Sequence, residues 1–309
     1  MRWLLWCVLV AVWSVEADAV EPPITAIAFA PNAKWVVTAS QQGVRVRNWP
    51  DLKVVKAVDA FAANLHCLAF SPGGTMLAVG GGNPAEVGIV EVFTWPELRS
   101  VATVMEHQDS ATTVRWLDDS KWFSAGLDRD VLLCDLQEES VVKKFSGHSR
   151  AVAGIALLPG KQFLVSAGDD QSVRVWNLAS GQMIRSLNQH TKPIRAIAVR
   201  PRADGLPMVA TAAADRTIRF WQPTIGRMVR YVRLPSEPLD IAWTPDGGLI
   251  AASCADGHVR VVDPAEVKVI LDEATFDGWA YAIAMHPETR QCAIGGSAGQ
   301  LKVVDLKFE

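Results

Sequence analysis

The hydrophobic and polar residues of the chain follow one pattern that recurs seven times. Each unit begins with a short alternating segment, turns into a second apolar segment, and passes a tight polar turn into a third. Alternation with a period of two, rich in Val and Ile, predicts half-buried β-strands. The apolar pairs of the first segments are Ile27/Phe29, Leu68/Phe70, Val114/Trp116, Ile155/Leu157, Ile197/Val199, Ile241/Trp243 and Ile283/Met285.

The spacing of these pairs indicates the architecture. They follow one another at intervals of 41, 46, 41, 42, 44 and 42 residues, and outer segments such as 53–58, 140–146 and 182–188 supply a fourth strand. Repeats of this length with four short strands are typical of propeller blades, whose sheets bury both faces only when packed radially. We therefore predict an all-β fold, a seven-bladed β-propeller of four-stranded antiparallel blades, over residues 20–309.

The first residues of the chain differ from the repeats. Met1 and Arg2 precede an apolar run from Trp3 to Val15, and residues 17–19 fit a small-x-small cleavage site. This layout predicts a signal peptide over residues 1–19 and export from the cell, to the periplasm or beyond. The run is shorter than the roughly 20 residues of a membrane-spanning helix, so stable membrane insertion is not predicted. The alternative is an uncleaved first strand of a cytoplasmic protein.

Export would change the last blade. Its third strand lies close to Glu309, so a fourth strand has to come from residues before Ile24. Cleavage after Ala19 would leave Val20 to Pro23, and the two prolines among these four residues cannot donate ladder hydrogen bonds. We therefore expect a last blade of three strands, with an open edge that can accept a partner strand.

Two neighbouring units share a set of four polar and aromatic residues. In both, a hydroxyl residue lies four positions before an Asp, and a Trp lies six positions after it. The sets are His148, Ser166, Asp170 and Trp176, and His190, Thr211, Asp215 and Trp221. They resemble the WD-repeat (WD40) family, and the resemblance covers residues 24–306. It implies a chain of hydrogen bonds from the Trp indole through the hydroxyl and the His to the Asp.

The other units match the family less closely. The third unit keeps His107, Ser124 and Asp128, but Cys134 stands in the place of the Trp. The sixth keeps Asp256 and lacks both the His and the Trp, and the remaining units match only in hydrophobic pattern.

Neither catalytic residues nor metal ligands are predicted. His, Ser and Asp together suggest a catalytic triad, but a set that recurs at blade spacing fits a structural tie better, since a buried Trp donor needs an acceptor. The histidines of the sets lie on separate blades and cannot easily converge on one metal ion. Four cysteines of the repeats lack metal-site spacing and are expected to be small buried residues: Cys67, Cys134, Cys254 and Cys292. No cofactor is expected.

A binding surface is the remaining candidate site. The resemblance implies that partners dock where the first strands begin, around the central channel. When the seven units are aligned, two columns of equivalent positions reach this rim. They hold mostly small residues, together with Trp279, Tyr281, Arg195 and His66. Trp, Tyr and Arg are the residue types that anchor interfaces, so we predict that these four bind a protein or peptide. The alternative for Trp279 is packing inward between blades seven and one.

Composition narrows the function further. Of the 309 residues, 50% are hydrophobic, and the net charge of −3 offers no basic stripe to nucleic acid. The favoured function is a non-enzymatic scaffold for protein–protein interaction in an extracytoplasmic compartment. One alternative is an exported lactonase-like or dehydrogenase-like enzyme, which needs carboxylates or histidines converging on the channel; the rim columns contain one His and no acid. The other is a cytoplasmic scaffold with an uncleaved N-terminus.

Overall fold

A computed structural model of the protein describes residues 21–202 and 205–307. The predicted signal peptide over residues 1–19 lies outside these residues. The described residues form seven antiparallel sheets, six with four strands and the last with three. In every sheet the strands lie side by side in chain order. The predicted seven-bladed β-propeller and its three-stranded last blade are confirmed.

The strands match the predicted segments within a few residues. Blades one to three comprise β1 (Ala26–Phe29), β2 (Trp35–Ser40), β3 (Gly43–Asn48), β4 (Val54–Val58), β5 (Asn64–Phe70), β6 (Met76–Asn83), β7 (Val87–Thr94), β8 (Ser100–His107), β9 (Ala111–Trp116), β10 (Lys121–Gly126), β11 (Asp130–Asp135) and β12 (Ser140–Ser146). Blades four and five comprise β13 (Val152–Leu157), β14 (Phe163–Gly168), β15 (Val173–Asn177), β16 (Met183–Leu187), β17 (Ile194–Val199), β18 (Val209–Ala213), β19 (Thr217–Gln222) and β20 (Arg227–Arg233). Blades six and seven comprise β21 (Pro238–Trp243), β22 (Ile250–Cys254), β23 (His258–Asp263), β24 (Lys268–Ala274), β25 (Ala280–Met285), β26 (Gln291–Gly296) and β27 (Leu301–Asp305). Between β19 and β20 lies the one helical element of the described ranges, a 3₁₀ turn at Pro223–Ile225.

The first strands form the inner ring. Each packs against the first strand of the next blade, and β25 packs against β1, which closes the circle. Two hydrogen bonds mark this closure: the N–H of Ile24 donates to the carbonyl of Gly296 at 3.2 Å, and His286 Nε2 donates to the carbonyl of Ala33 at 3.2 Å. The first strands surround a central channel, a cavity of about 560 Å³.

The hydrophobic core lies between the blades. In the cluster between blades four and five, Val165 and Val175 of one sheet pack with Ile197, Val209 and Trp221 of the next. Similar clusters join blades one and two, two and three, and five and six. Since each sheet buries its two faces against two neighbours, no blade has a core of its own.

The loops before the first strands and the turns between the second and third strands all lie at one end of the ring. Neighbouring strands are antiparallel, so each first strand begins where the second ends and the third begins. We call this end the loop face. It comprises residues 21–25, the loops before the later first strands, and the turns between second and third strands: 41–42, 59–63, 84–86, 108–110, 127–129, 147–151, 169–172, 188–193, 214–216, 234–237, 255–257, 275–279 and 297–300.

Candidate functional site

The four residues singled out in blade four form one chain of hydrogen bonds. Trp176 Nε1 donates to Ser166 Oγ at 2.8 Å, and Ser166 Oγ lies 2.7 Å from His148 Nε2. His148 Nδ1 lies 3.0 Å from both carboxylate oxygens of Asp170. Because the hydroxyl accepts from the indole, its own proton points to Nε2, and the proton on Nδ1 then points to the carboxylate. The chain joins the second strand, the third strand and two turns.

Blade five repeats the arrangement. Trp221 Nε1 donates to Thr211 Oγ1 at 2.8 Å, Thr211 Oγ1 lies 2.7 Å from His190 Nε2, and His190 Nδ1 lies 2.9 Å from Asp215. Burial lowers the pKa of His190 even though Asp215 favours its charged form.

In blade three a thiol takes the place of the indole. His107 contacts Ser124 and Asp128 at 2.9 Å each, and the buried Cys134 occupies the position of the indole.

The network carboxylates are held in the charged form. Burial alone would raise the pKa of Asp170, but the hydrogen bonds from His148 and Ser172 outweigh it and hold that pKa well below its usual range. The N–H of Ser149 also donates to this carboxylate, at 3.0 Å. The hydroxyl of Ser166 is fully buried and already contacts a donor and an acceptor, so a substrate carbonyl has no approach to it. This geometry fits a structural tie.

Blade six binds its turn carboxylate through an Arg alone. Blades four and five carry an Arg at the same position beside the His, and Nη2 of Arg174 and Arg219 lies 3.3 and 3.6 Å from the turn carboxylate of its blade. Arg260 donates from both terminal nitrogens to Asp256, at 2.9 and 2.7 Å, and its Nε donates to Asp272 at 3.0 Å. A guanidinium can bind a carboxylate through two parallel hydrogen bonds, which an imidazole cannot do. The loss of the His in this blade therefore leaves the turn carboxylate bound.

The four rim residues lie on three separate blades. Trp279 and Tyr281 of blade seven contact each other edge to face, with ring centroids 5.4 Å apart, and 49% of Trp279 is exposed. Trp279 therefore does not pack inward. His66, Arg195 and Tyr281 line the channel, and burial lowers the pKa of His66. The structure brings the two aromatic rings together and places His66 and Arg195 elsewhere around the channel mouth.

Arg195 contacts two acidic residues that lie outside the aligned rim positions. Its Nε donates to Glu237 of blade six at 2.7 Å, and its Nη1 lies 3.9 Å from Asp169 of blade four. These carboxylates come from a loop and a turn, at positions outside the two rim columns. Arg195 thus links three blades at the mouth of the channel.

Two charged residues deeper in the channel escaped the sequence analysis. Arg115 and Asp240 line the cavity, at positions where the other first strands carry mostly alanine. Asp240 accepts hydrogen bonds from the N–H of Ile241 at 2.8 Å and of Ile283 at 3.1 Å, which ties blade six to blade seven. Burial raises the pKa of Asp240 to about 6. In an alignment of the seven first strands, a charged residue among small ones was the signal that could have identified both channel residues.

The described residues contain neither a cluster fit for a metal ion nor a membrane-spanning helix. Over residues 21–202 and 205–307, no cluster of His, Cys, Asp and Glu has the geometry to hold a metal ion. Within the same ranges, no helix is long and apolar enough to span a membrane. The four cysteines are buried and unpaired, and burial raises the pKa of Cys67 to about 12 and that of Cys254 to about 11.

Comparison with known proteins gives both a family and relatives. A family model described as WD domain, G-beta repeat matches residues 12–48, 98–135, 139–177, 181–222 and 235–263. The B-type cell cycle switch protein ccs52A of Medicago truncatula is 30% identical over 156 residues, which are 50% of this chain and 32% of that protein.

Two further relatives have names that do not mention the cell cycle. The U3 small nucleolar RNA-associated protein 15 homolog of Xenopus tropicalis is 33% identical over 96 residues, 31% of this chain and 19% of that protein. The Periodic tryptophan protein 2 homolog of Dictyostelium discoideum is 24% identical over 224 residues, 71% of this chain and 24% of that protein. The chain thus spans about a third or less of each of the three relatives.

The prediction that the protein is exported is wrong. The names of its relatives connect them with a cell cycle switch and with a small nucleolar RNA, and neither describes an exported protein. The family match begins at residue 12, within the apolar run that suggested export. A short apolar run fits a signal peptide and a buried strand equally well, so its hydrophobicity did not separate the two.

The family match agrees with the structure. The segments 139–177 and 181–222 each contain the fourth strand of one blade, the first three strands of the next blade, and the complete hydrogen-bonded chain of blade four or five. Together the five segments cover more than half of the 309 residues. The resemblance predicted from the sequence is confirmed, and the chain belongs to the WD domain, G-beta repeat family.

Proposed function

We propose that this propeller is a non-enzymatic scaffold inside the cell that binds a protein or peptide partner through its loop face. The exposed ring pair of Trp279 and Tyr281 at the channel mouth is the observation that carries this proposal. Half-exposed aromatic residues beside a channel are typical interface anchors. The names of the relatives support an intracellular role, and nucleic acid is not the proposed partner.

The enzyme alternative needs acids or histidines free to react in the channel. Asp240 and His66 do line it, but both oxygens of Asp240 already accept backbone hydrogen bonds. An acid held in this way ties two blades together, which favours the scaffold. No cofactor is required for the proposed function.

The experiment starts from peptides selected out of a random displayed library with the full chain. Their affinity is then measured for Trp279→Ala/Tyr281→Ala and for Ile225→Ala, a control at the opposite end of the ring whose side chain is also 49% exposed. We expect the double variant to bind about tenfold more weakly or worse, because it loses the anchor rings, and the control to bind unchanged. Equal binding by all three proteins would refute the proposal.

A further inference from the structure

The cations of the loop face are confined to one sector. Within its described loops and turns, every Lys and Arg belongs to blades three to five, and each is exposed: Arg129, Arg150, Lys192 and Arg216. Arg195, at the start of a first strand of the same sector, is exposed as well. The loops and turns of the other four blades carry acids and no cation: Glu21, Asp59, Glu86, Glu237, Asp256 and Asp277.

We infer that this basic sector binds an acidic peptide segment of a protein partner, whose carboxylates contact Arg129, Arg150, Lys192, Arg195 and Arg216. The inference rests on the proposed function, because it assigns the partner chemistry of the same face. Guanidinium and ammonium groups on neighbouring turns match closely spaced carboxylates.

The cations stand on turns that the hydrogen-bonded networks hold in place. Arg150 and Lys192 lie two residues after the network histidines His148 and His190. The residue between each histidine and its cation is held by a hydrogen bond from its backbone. The N–H of Ser149 donates to Asp170 at 3.0 Å, and that of Thr191 donates to Asp215 at 3.2 Å. Their backbones are therefore fixed before a ligand arrives, which lowers the entropy lost on binding.

The turn cations are held in a similar way. Arg129 and Arg216 directly follow the network carboxylates Asp128 and Asp215, and both adopt positive φ angles, of 76° and 61°. Each carboxylate accepts a hydrogen bond from the N–H two positions further on, at 3.2 and 3.1 Å. The three blades that carry the network are thus the three that present cations.

The loops and turns of the sector contain as many acids as the sector has cations, but these acids already have partners. Asp109 accepts hydrogen bonds from the N–H groups of Ala85 and Ser110, at 2.9 and 2.7 Å. Glu237 and Asp169 both contact Arg195. The network carboxylates of Asp128, Asp170 and Asp215 are buried against their histidines. Among the described residues, no acidic side chain forms an ion pair with the other four cations of the sector, which therefore remain for a ligand.

The acids on both sides of the sector favour a short peptide over a nucleic acid. A long polyanion that fills the sector has to continue over the acids of the neighbouring blades two and six, including Glu86 and Asp256. At physiological salt, charges act over about 8 Å, so a segment only as long as the sector avoids this repulsion. A short run of Glu or Asp fits that limit.

The test measures binding of fluorescently labelled decaglutamate to the full chain at low salt. The variant is Arg150→Glu/Lys192→Glu, and the matched control is Lys34→Glu/Arg99→Glu, which reverses two exposed cations at the opposite end of the ring. We expect the variant to lose about tenfold or more in affinity and the control to stay within about twofold of the wild type. Arg150→Gln/Lys192→Gln gives the same comparison if charge reversal affects folding.

Three results would overturn the inference: no binding of decaglutamate, equal loss in variant and control, or tighter binding of decauridylate RNA that depends on the same two cations. The library-selected peptides separate this failure from that of the proposed function. If they require Trp279 and Tyr281 while decaglutamate does not bind, the scaffold stands and the acidic partner is wrong. If decaglutamate binds as expected and no selected peptide requires the two rings, the basic sector stands and the aromatic anchor is wrong.

Discussion

At the residue scale, a buried hydroxyl decides whether two other buried polar groups are satisfied. Thr211 is fully buried and contacts both Trp221 and His190. The same position of the second strand in other blades holds apolar residues such as Val79 and Ile294, and these blades lack the Trp–His pair. Both blades with the complete Trp–His pair carry the hydroxyl, whereas blade one carries it in Thr38 without the pair.

We predict that Thr211→Val destabilises the protein by about 2–4 kcal/mol, because it leaves an indole N–H and an imidazole nitrogen buried without partners. The measurement is urea unfolding at neutral pH. Thr38→Val is the matched control: Thr38 is buried at the same strand position, but its hydroxyl makes only a 3.5 Å contact with the carbonyl of Arg45. A loss as large in the control would show that the hydroxyl itself, and not the network, is responsible.

The depressed pKa of Asp170 predicts a dependence of stability on pH. An acid whose folded pKa lies below its unfolded value of about 3.9 stabilises the fold above that value, and this contribution is lost as the pH falls through the folded pKa. We expect Asp170→Asn to cost about 2 kcal/mol or more at pH 7 and progressively less below about pH 4. The exposed Asp59→Asn serves as control. A cost that is independent of pH would contradict the role of the charged form.

At the element scale, the close approach of strands β5 and β6 depends on a glycine. The register between them shifts after Leu65, and a Cβ on Gly81 would lie 1.9 Å from the carbonyl oxygen of Asn64. Backbone atoms cannot yield as a flexible side chain can. The run of three glycines in this strand thus has a packing cause.

We predict that Gly81→Ala destabilises the protein by about 2–4 kcal/mol, since the methyl group forces the two strands apart. Gly248→Ala is the control, because its added Cβ meets only the side chain of Asp246 at 3.3 Å and its φ is not positive. Thermal unfolding of the two variants provides the comparison. Similar melting temperatures for both would show that β5 and β6 have room to separate.

The elements also show the limits of prediction from the repeat. The strands and the hydrogen-bonded chains of blades four and five were predictable, because alternation and fixed spacing are properties of the local sequence. The two-carboxylate contact of Arg260 in blade six was not, because Arg260 binds both Asp256 and Asp272 from its own strand. Its role depends on distances that only the folded sheet defines.

At the scale of the whole molecule, every blade shares its core with its neighbours. Blade seven is joined to blade one by backbone and side-chain bonds, including that of Ile24 with Gly296. A closed ring leaves no terminal repeat that can unfold without opening two interfaces. Its stability should therefore be a property of the ring, unlike that of an open repeat array.

We predict a single cooperative unfolding transition. Pulsed hydrogen exchange along a urea titration should give peptides from blades one and five the same midpoint, and Thr211→Val should shift both midpoints equally. A shift confined to blade five would show that the blades unfold independently.

The sequence by itself determined the number of blades, the strands within each blade and the two complete hydrogen-bonded chains. These follow from the period of the hydrophobic pattern and from the spacing of a few polar residues, both of which are local. The apolar N-terminal run gave a wrong prediction of export, because hydrophobicity alone does not separate a signal peptide from a buried strand. Only the tertiary structure decided which charges meet at the loop face and in the channel, such as Arg195 with Glu237 or Asp240 with Ile283, because these partners lie some 40 residues apart and approach only when the ring closes.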